Sequence, residues 1–217
     1  MNAEAASDRI RVRRGPDKGR YDVDTIHRII DESLFAHVAF DDGEQPVCIP
    51  TLCARVDDDV MVHGSTASRM IRILATGVRA CLTVTSLHGL VLARSVFEHS
   101  ANYESVVAFG TFRTVSGDEE LTALEAFTEK LLPGRWIEAR QPNAKELKAT
   151  RILAMSLDEA SAKISAGPSD DDGTPDADLD IWAGVLPLTT AYGAPQPSPG
   201  LRAGIAVPPS VQNLTGR

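Results

Sequence analysis

Val60-Met61-Val62-His63-Gly64-Ser65-Thr66-Ala67-Ser68-Arg69-Met70-Ile71-Arg72-Ile73-Leu74 changes character halfway along. Up to His63 it reads as a short apolar strand. After Ser68, the residues Met70, Ile71 and Leu74 fall on one helical stripe, and Gly77 stands where a helix would end. Gly64 loosens the backbone at the joint. A strand that feeds a helix through Ser65, Thr66 and Ser68 points backbone N–H groups, and the positive end of the helix dipole, out of the fold. Arg69 adds a guanidinium fork that matches phosphate oxygens. A Ser-capped helix carrying a solvent-exposed arginine has the same spacing, so the stretch alone leaves a phosphate grip and an ordinary cap both open.

Around this joint the chain reads mostly as short strands. Upstream, Asp22 or Asp24 caps a helix with Ile26, Ile29, Ile30 and Leu34 on its apolar face. AHVAF, the turn DDGEQ and PVCIPTLCARV then form a hairpin, and a second acidic turn at Asp57-Asp58-Asp59 leads into the joint. Downstream, ACLTVTSL and LVLARSVF read as a hairpin turning at His88-Gly89, followed by a loop EHSANY and a long β-rich run SVVAFGTFRTV. Asp118 to Leu132 is an amphipathic helix with Leu121, Leu124, Phe127 and Leu131 on its buried side. A short helix at Lys145 to Thr150 precedes the strand ILAMSLD. One helix set among short strands, without regular strand–helix alternation, predicts a mainly β small barrel with peripheral helices rather than a doubly wound sheet.

Three units are expected: an extended basic arm over 1–20, a barrel domain over 21–166, and an acidic loop with a Pro-rich tail over 167–217 that docks through 181–188. The arm's Arg9, Arg11, Arg13, Arg14, Lys18 and Arg20 suit either an anion clamp or a solvated strap over an acidic body. Gly167 to Asp180 reads as a loop or mobile segment, and Trp182 as a pin holding the tail.

Hydrophobic residues make up 43% of the 217 and charged residues 24%, as in ordinary globular chains. A net charge of −8 argues against nucleic acid as a partner. No apolar run is long enough to span a bilayer, and the basic start has no apolar core of a secretory leader. Cys48, Cys53 and Cys81 lie in strand-like runs without zinc spacing and read as reduced, buried thiols, so no metal and a cytoplasmic location are expected. His27 and His37 read as structural and His88 as solvated; His99 borders a loop, and no pair of histidines has the spacing of a zinc helix.

Taken in order, RRGPDKGRYD (13–22), QPVCIPTL (45–52), VHGSTASR (62–69), HGLVLARS (88–95) and HSANYESVV (99–107) resemble the pyridoxamine 5′-phosphate oxidase-like flavoproteins, and within them the nitroimidazole-resistance-protein-like subgroup. ASAKISAGP (160–168) and IWAGVLPL (181–188) extend the match. The resemblance implies a split β-barrel that dimerises, with two FMN sites at the subunit interface. By position it assigns the phosphate to Ser65, Ser68 and Arg69. Ile49, Pro50 and Thr51 would line the flavin ring, and Val84-Thr85 would run beneath it. His63 would stand close to the cofactor and be the candidate catalytic residue, with Tyr103 and Ser105 contributed by the partner subunit. Relatives with this barrel also carry haem, with His63 the candidate ligand, or a deazaflavin. Glu104 replaces the arginine usual in a Tyr-Arg-Ser-Val run and is expected to oppose a phosphate, with Arg94 or the arm's arginines as candidate compensation. The implied activity is an FMN-dependent oxidoreductase passing electrons to a small nitroaromatic- or quinone-like acceptor. A flavin or haem carrier without turnover is the alternative.

Overall fold

A computed structural model describes residues 4–215; the first three residues of the arm and the last two of the tail lie outside the described residues. Its ten strands form one sheet: β1 (Gly19–Arg20), β2 (Phe35–Asp41), β3 (Pro46–Val56), β4 (Asp59–Ser65), β5 (Arg79–Leu92), β6 (Ser100–Thr111), β7 (Arg113–Thr114), β8 (Thr150–Ser156), β9 (Ala160–Ser165) and β10 (Gly184–Pro187). The order is β1-β9-β6-β5-β2-β3-β4-β8-β7, with β10 added beside β5, and every pairing is antiparallel. β3 serves two parts of the sheet, pairing with β2 through Leu52 and with β4 from Cys53 onward. The chain is a split β-barrel with peripheral helices, as the strand pattern predicts.

The alternating side chains of the central strands sort cleanly. Val38, Phe40, Leu82, Val84, Val106, Ala108, Val60, Val62, Leu153 and Met155 fill the barrel. Helix α1 (Val23–Glu32) closes one side with Ile26, Ile29 and Ile30, and its first turn is capped by Asp22, which accepts from Thr25 N at 2.9 Å. Helix α2 (Arg69–Leu74) adds Met70, Ile71 and Leu74. A second core lies on the reverse face of β3, β4 and β8, where Met61, Ile152 and Ala154 meet Ala123 and Phe127 of α3 (Asp118–Leu131). Leu121 and Leu131 are exposed instead of buried, because a helix lying on a sheet turns only a narrow stripe inward and Ala123 and Phe127 occupy it.

Two expected turns are absent. His88-Gly89 does not close a hairpin; β5 runs through it, with a register break between Leu87 and Gly89 where it pairs with β6. Turn-type residues inside a strand here mark a bulge, which redirects the strand without ending it. The predicted loop EHSANY lies mostly in β6, which begins at Ser100; the connection is instead 93–99, with a 3-10 turn at Val96–Glu98 where the strand LVLARSVF is expected to continue.

The arm is strapped to the body. Tyr21 Oη accepts from Val12 N at 2.8 Å, Ser7 Oγ donates to Glu159 at 2.7 Å, and Ile10 is buried. Its charges are used locally: Arg11 and Arg13 face Asp8, Arg20 donates to carbonyls of residues 17 and 19, and Arg9 lies 5.6 Å over the Phe109 ring. The remaining helices are α4 (Arg135–Glu138), α5 (Ala144–Ala149), which opens on a capping box between Asn143 and Glu146, and α6 (Pro209–Thr215). Ser210 of α6 bonds Glu138 of α4 through both its N–H and its hydroxyl, tying the tail back to the body.

Candidate functional site

Ser65, Ser68 and Arg69 come together where β4 runs into α2. Gly64 leaves little room there: a Cβ would stand 3.0 Å from the Ile71 side chain, which plugs the barrel. Ser65 Oγ accepts from Ala67 N at 3.2 Å, and the Ser68 N–H donates to Ser65 O at 2.9 Å. The Ser68 side chain, although at the cap position of α2, makes no capping bond. Arg69 is largely exposed and reaches Asp42, at the tip of the β2–β3 turn, at 3.3 Å. The Asp42 carboxyl is held below its ordinary pKa, first by backbone N–H donation from Gln45 and Glu44 and then by Arg69. Beside this joint lies a groove of about 760 Å³ walled by Asp41, Asp42, Arg69, Arg72, Ile73 and Arg79.

From that turn the remaining candidates follow β2 in order. Ile49, Pro50 and Thr51 stand opposite Val38, His37 and Ala36. Pro50 and His37 are exposed on the outward face, whereas Ile49 packs against the barrel core. Further along, Thr85 faces Ser105 across β5 and β6, and both lie on the outward face. Val84 is fully buried, so only its backbone is available from outside. Tyr103 is two residues beyond Ser105. The structure thus sets Ser65, Ser68 and Arg69 at one end of β2, the exposed Pro50 and His37 at its middle, and Thr85, Ser105 and Tyr103 at the far end.

His63 points the other way. Its ring meets Phe127 of α3 at 4.4 Å, edge to face, in the second core. Nδ1 is buried without a hydrogen-bond partner, and burial pushes the imidazole pKa down, keeping it neutral.

Glu104 does not oppose the grip in its own protomer. It faces α1, where Arg28 clasps it through two bonds of 2.7 and 2.9 Å, and His88 Nε2 lies 3.4 Å away. Glu104 is at the Phe35 end of β2 and Arg69 is beyond its Asp41 end, so seven strand residues, about 20 Å, separate them. Arg94 is no substitute at the grip: it is committed to the tail segment, its N–H donating to Asp171 Oδ2 at 2.7 Å and its guanidinium at 3.3 Å from Oδ1. Asp171 is buried, also accepting from Ser169 at 2.5 Å, so the 167–180 stretch is latched to the β5–β6 connection. That connection is the end of β5 opposite to Arg79, and within one protomer the acidic segment does not cover the groove. Trp182 is 68% exposed, and it is β10 pairing with β5 that docks the tail. His99 braces the loop before β6, its Nδ1 lying 3.1 Å from Ser95 O.

Sequence reasoning missed Arg28, Asp42 and Phe127, partners brought in by tertiary packing and carrying no local signal. It also passed over Arg72 and Arg79. Arg72 could have been found, since it follows Arg69 by three residues and shares its side of the helix.

A split barrel whose strand β4 runs into a short helix through Ser65, Ser68 and Arg69 is the frame of a class of proteins. Residues 22–164 match the family model described as pyridoxamine 5′-phosphate oxidase, and the chain belongs to that family. A FAD and haem binding protein from Mycobacterium smegmatis is 41% identical, covering 91% of this chain and 97% of its own, with a TM-score of 0.87. A flavocytochrome from Azotobacter vinelandii is 35% identical over 98% of this chain and 99% of its own, with a TM-score of 0.90. A structure from Bacteroides thetaiotaomicron assigned to 5-nitroimidazole antibiotic resistance shares the fold at 18% identity and a TM-score of 0.57, over 67% of this chain and 86% of its own. No curated protein matches the chain.

Proposed function

We propose that the chain is a flavin-dependent redox protein that passes electrons from the flavin to a small organic acceptor of the nitroaromatic or quinone type. The carrying observation is the line along the β2–β3 hairpin: Ser65, Ser68 and Arg69 at its turn end, then the open bed of Pro50 and His37. The fit is chemical as well as spatial, since the Ser68 hydroxyl is uncommitted and Arg69 has only an exposed carboxylate contact to give up. When bound, the flavin supplies the electron transfer, and the protein orients it and limits water. FMN satisfies the family pattern. FAD is favoured, because the 41% identical relative is a FAD protein and the groove continues beyond Arg69. The purified protein is expected to show flavin absorption bands, with mass spectrometry of the released chromophore separating FAD, FMN and a deazaflavin. Arg69→Ala should weaken flavin binding by about 1.5–3 kcal/mol, the worth of a hydrogen bond to a charged group; unchanged affinity would remove the phosphate assignment. Acceptors that reoxidise the reduced protein no faster than air does would make it a carrier.

A haem beside the flavin has its own support. The His63 imidazole is neutral, packed on Phe127, and has one buried nitrogen without a partner. Such a nitrogen suits a haem iron, which the group would use for one-electron transfer. The relatives at 41% and 35% identity pair a flavin with haem or cytochrome character by their descriptions. A Soret band lost in His63→Leu would support this assignment, and one retained would refute it.

The protein is further proposed to act as a homodimer in the cytoplasm. Phe35, Leu87, Leu90, Val96, Phe97 and Leu186 are exposed, and Leu186 stands directly opposite Leu90 across β10 and β5. Patches of this kind mark association surfaces. No helix among the described residues is long and apolar enough to cross a membrane, and the three cysteines are free.

A further inference from the structure

β3 leaves β2 after Leu52 and joins β4 at Cys53, and the barrel is split at that point. The end of α1, the crossing strand and the end of α3 converge on the gap. Cys53 is 2% exposed, and its thiol lies 3.6 Å from Ser33 O and 4.0 Å from Leu34 O. Lys130 reaches in from α3, donating to Ile30 O at 2.7 Å and to Cys53 Sγ at 3.5 Å. A lysine ordinarily lays its stem on apolar surface and keeps its ammonium in water. This one turns its nitrogen inward. An amine and a thiol, 77 residues apart in the chain, are thus held in contact inside the fold.

Their surroundings leave the shared proton mobile. Burial pushes the Lys130 amine below its ordinary pKa and the Cys53 thiol above its own, whereas the charge of each favours that of the other. The charged neighbours Asp31 and Arg55 are bonded to each other at 2.6 Å and act in opposite senses on Lys130. The pair can therefore stand as thiol and amine or as thiolate and ammonium. The thiolate is the form that peroxide oxidises, and the free amine is a nucleophile.

We propose that Cys53 and Lys130 form a reversible oxidative crosslink, a sulfur–nitrogen bond made when hydrogen peroxide enters the split of the barrel. In the first step the Cys53 sulfur attacks peroxide: an S–O bond forms, the O–O bond breaks, and the departing hydroxide takes the proton held on Lys130 and leaves as water. In the second the Lys130 amine attacks the sulfenic sulfur, the S–O bond breaks, and hydroxide leaves with an amine proton as a second water. Sulfur is oxidised by two electrons and peroxide is reduced by two. Lys130 is only partly buried, so its flexible stem both marks the approach from solvent and supplies the movement that closes 3.5 Å to a bond. The bridge joins α3 to β3 beside the end of α1. Phe127, one turn before Lys130, is the residue packed on His63, so the same bond fixes the cover of that ring.

The test treats the full chain carrying Cys48→Ser and Cys81→Ser, in which Cys53 is the remaining thiol, with hydrogen peroxide at a dose that oxidises the exposed Cys48 of the wild type. Intact mass should fall by about 2 Da, against a gain of about 16 Da for a sulfenic acid. Digestion should return Cys53 and Lys130 in one linked peptide, uncut after Lys130, and a thiol reductant should separate the two and restore the mass. The oxidised protein should also unfold at higher urea than the reduced one, because the bond closes a long loop of chain. Lys130→Arg keeps a cationic donor for Ile30 O but cannot attack sulfur, so its Cys53 should gain oxygen, lose no hydrogen and show no urea shift. A loss of about 2 Da that survives in Lys130→Arg would put the bond on another nitrogen and overturn the proposal. Oxygen adducts alone on Cys53, or an unmodified Cys53 at that dose, would overturn it too. Should Lys130→Arg not fold, the presence or absence of the linked peptide in the parent decides.

Discussion

His63 carries the sharpest conflict at the scale of a single residue. A buried ring nitrogen without a partner costs about 1–3 kcal/mol, and nothing in the fold of the bare chain repays it. His63→Leu is therefore expected to raise the urea midpoint of the cofactor-free protein while abolishing haem uptake. A lower midpoint would show that Nδ1 is satisfied after all. Glu104 behaves oppositely, since every contact it makes favours its charge. The Arg28 bonds hold its carboxyl below the ordinary value, so its folded pKa lies under its unfolded one. The stability it contributes is present above about pH 4.3 and is lost as pH falls through the lower folded value. Glu104→Gln should lose about 1 kcal/mol at pH 7, discounted for the partial exposure of Arg28, and should converge with the wild type in strong acid. A constant deficit at every pH would mean the loss is packing rather than charge.

Among the elements, β5 departs most from expectation. His88-Gly89 has the composition of a turn, and the strand survives it because β6 on one side and β10 on the other both hold it extended. No local pattern could report those neighbours. The same position is a point of weakness: a Cβ on Gly89 would stand 2.9 Å from Leu186 O. Gly89→Ala should therefore push β10 off, costing about 1–3 kcal/mol and opening residues near 181–188 to protease. Unchanged cleavage would show that the Asp171 and Ser210 contacts hold the tail without β10. Elements whose pattern is local were legible: α1 with its Asp22 cap, the β2–β3 hairpin, and the β4–α2 joint with Met70, Ile71 and Leu74 inward. α3 was found and its Leu124 and Phe127 do pack inward, but Leu121 and Leu131 do not, because a sheet had to be present before a narrow stripe could be preferred to a broad one. Of the candidate site, the placement of Ser65, Ser68 and Arg69 at one strand–helix joint was readable as a contiguous stretch. The outward bed, the orientation of His63 and the fate of Glu104 depended on which face each strand turns to its neighbours.

For the whole molecule, the exposed apolar band is the feature that one chain alone does not account for. Val96 and Phe97 are 86% and 88% exposed at the tip between β5 and β6. In an association surface these are natural anchors, each contributing on the order of 1–3 kcal/mol when covered. Phe97→Asp should shift the protein to monomer in sedimentation equilibrium, and flavin affinity should fall with it if the partner subunit completes the pocket. A monomer that still binds flavin tightly would place the whole site within one chain.

Cys48 and Cys81 both stand opposite Ala39, one on each side of β2, so they share the outward face with a strand between them. Two strand spacings, about 9–10 Å, are too wide for a disulfide within one protomer. Of the three thiols Cys48 alone is exposed, while Cys81 is half-buried and Cys53 lies in the core. The fold thus carries its own reporter: a maleimide should mark one position, in the middle of the face on which a cofactor or a second copy would lie, and slower labelling would read out either arrival without any engineered tag.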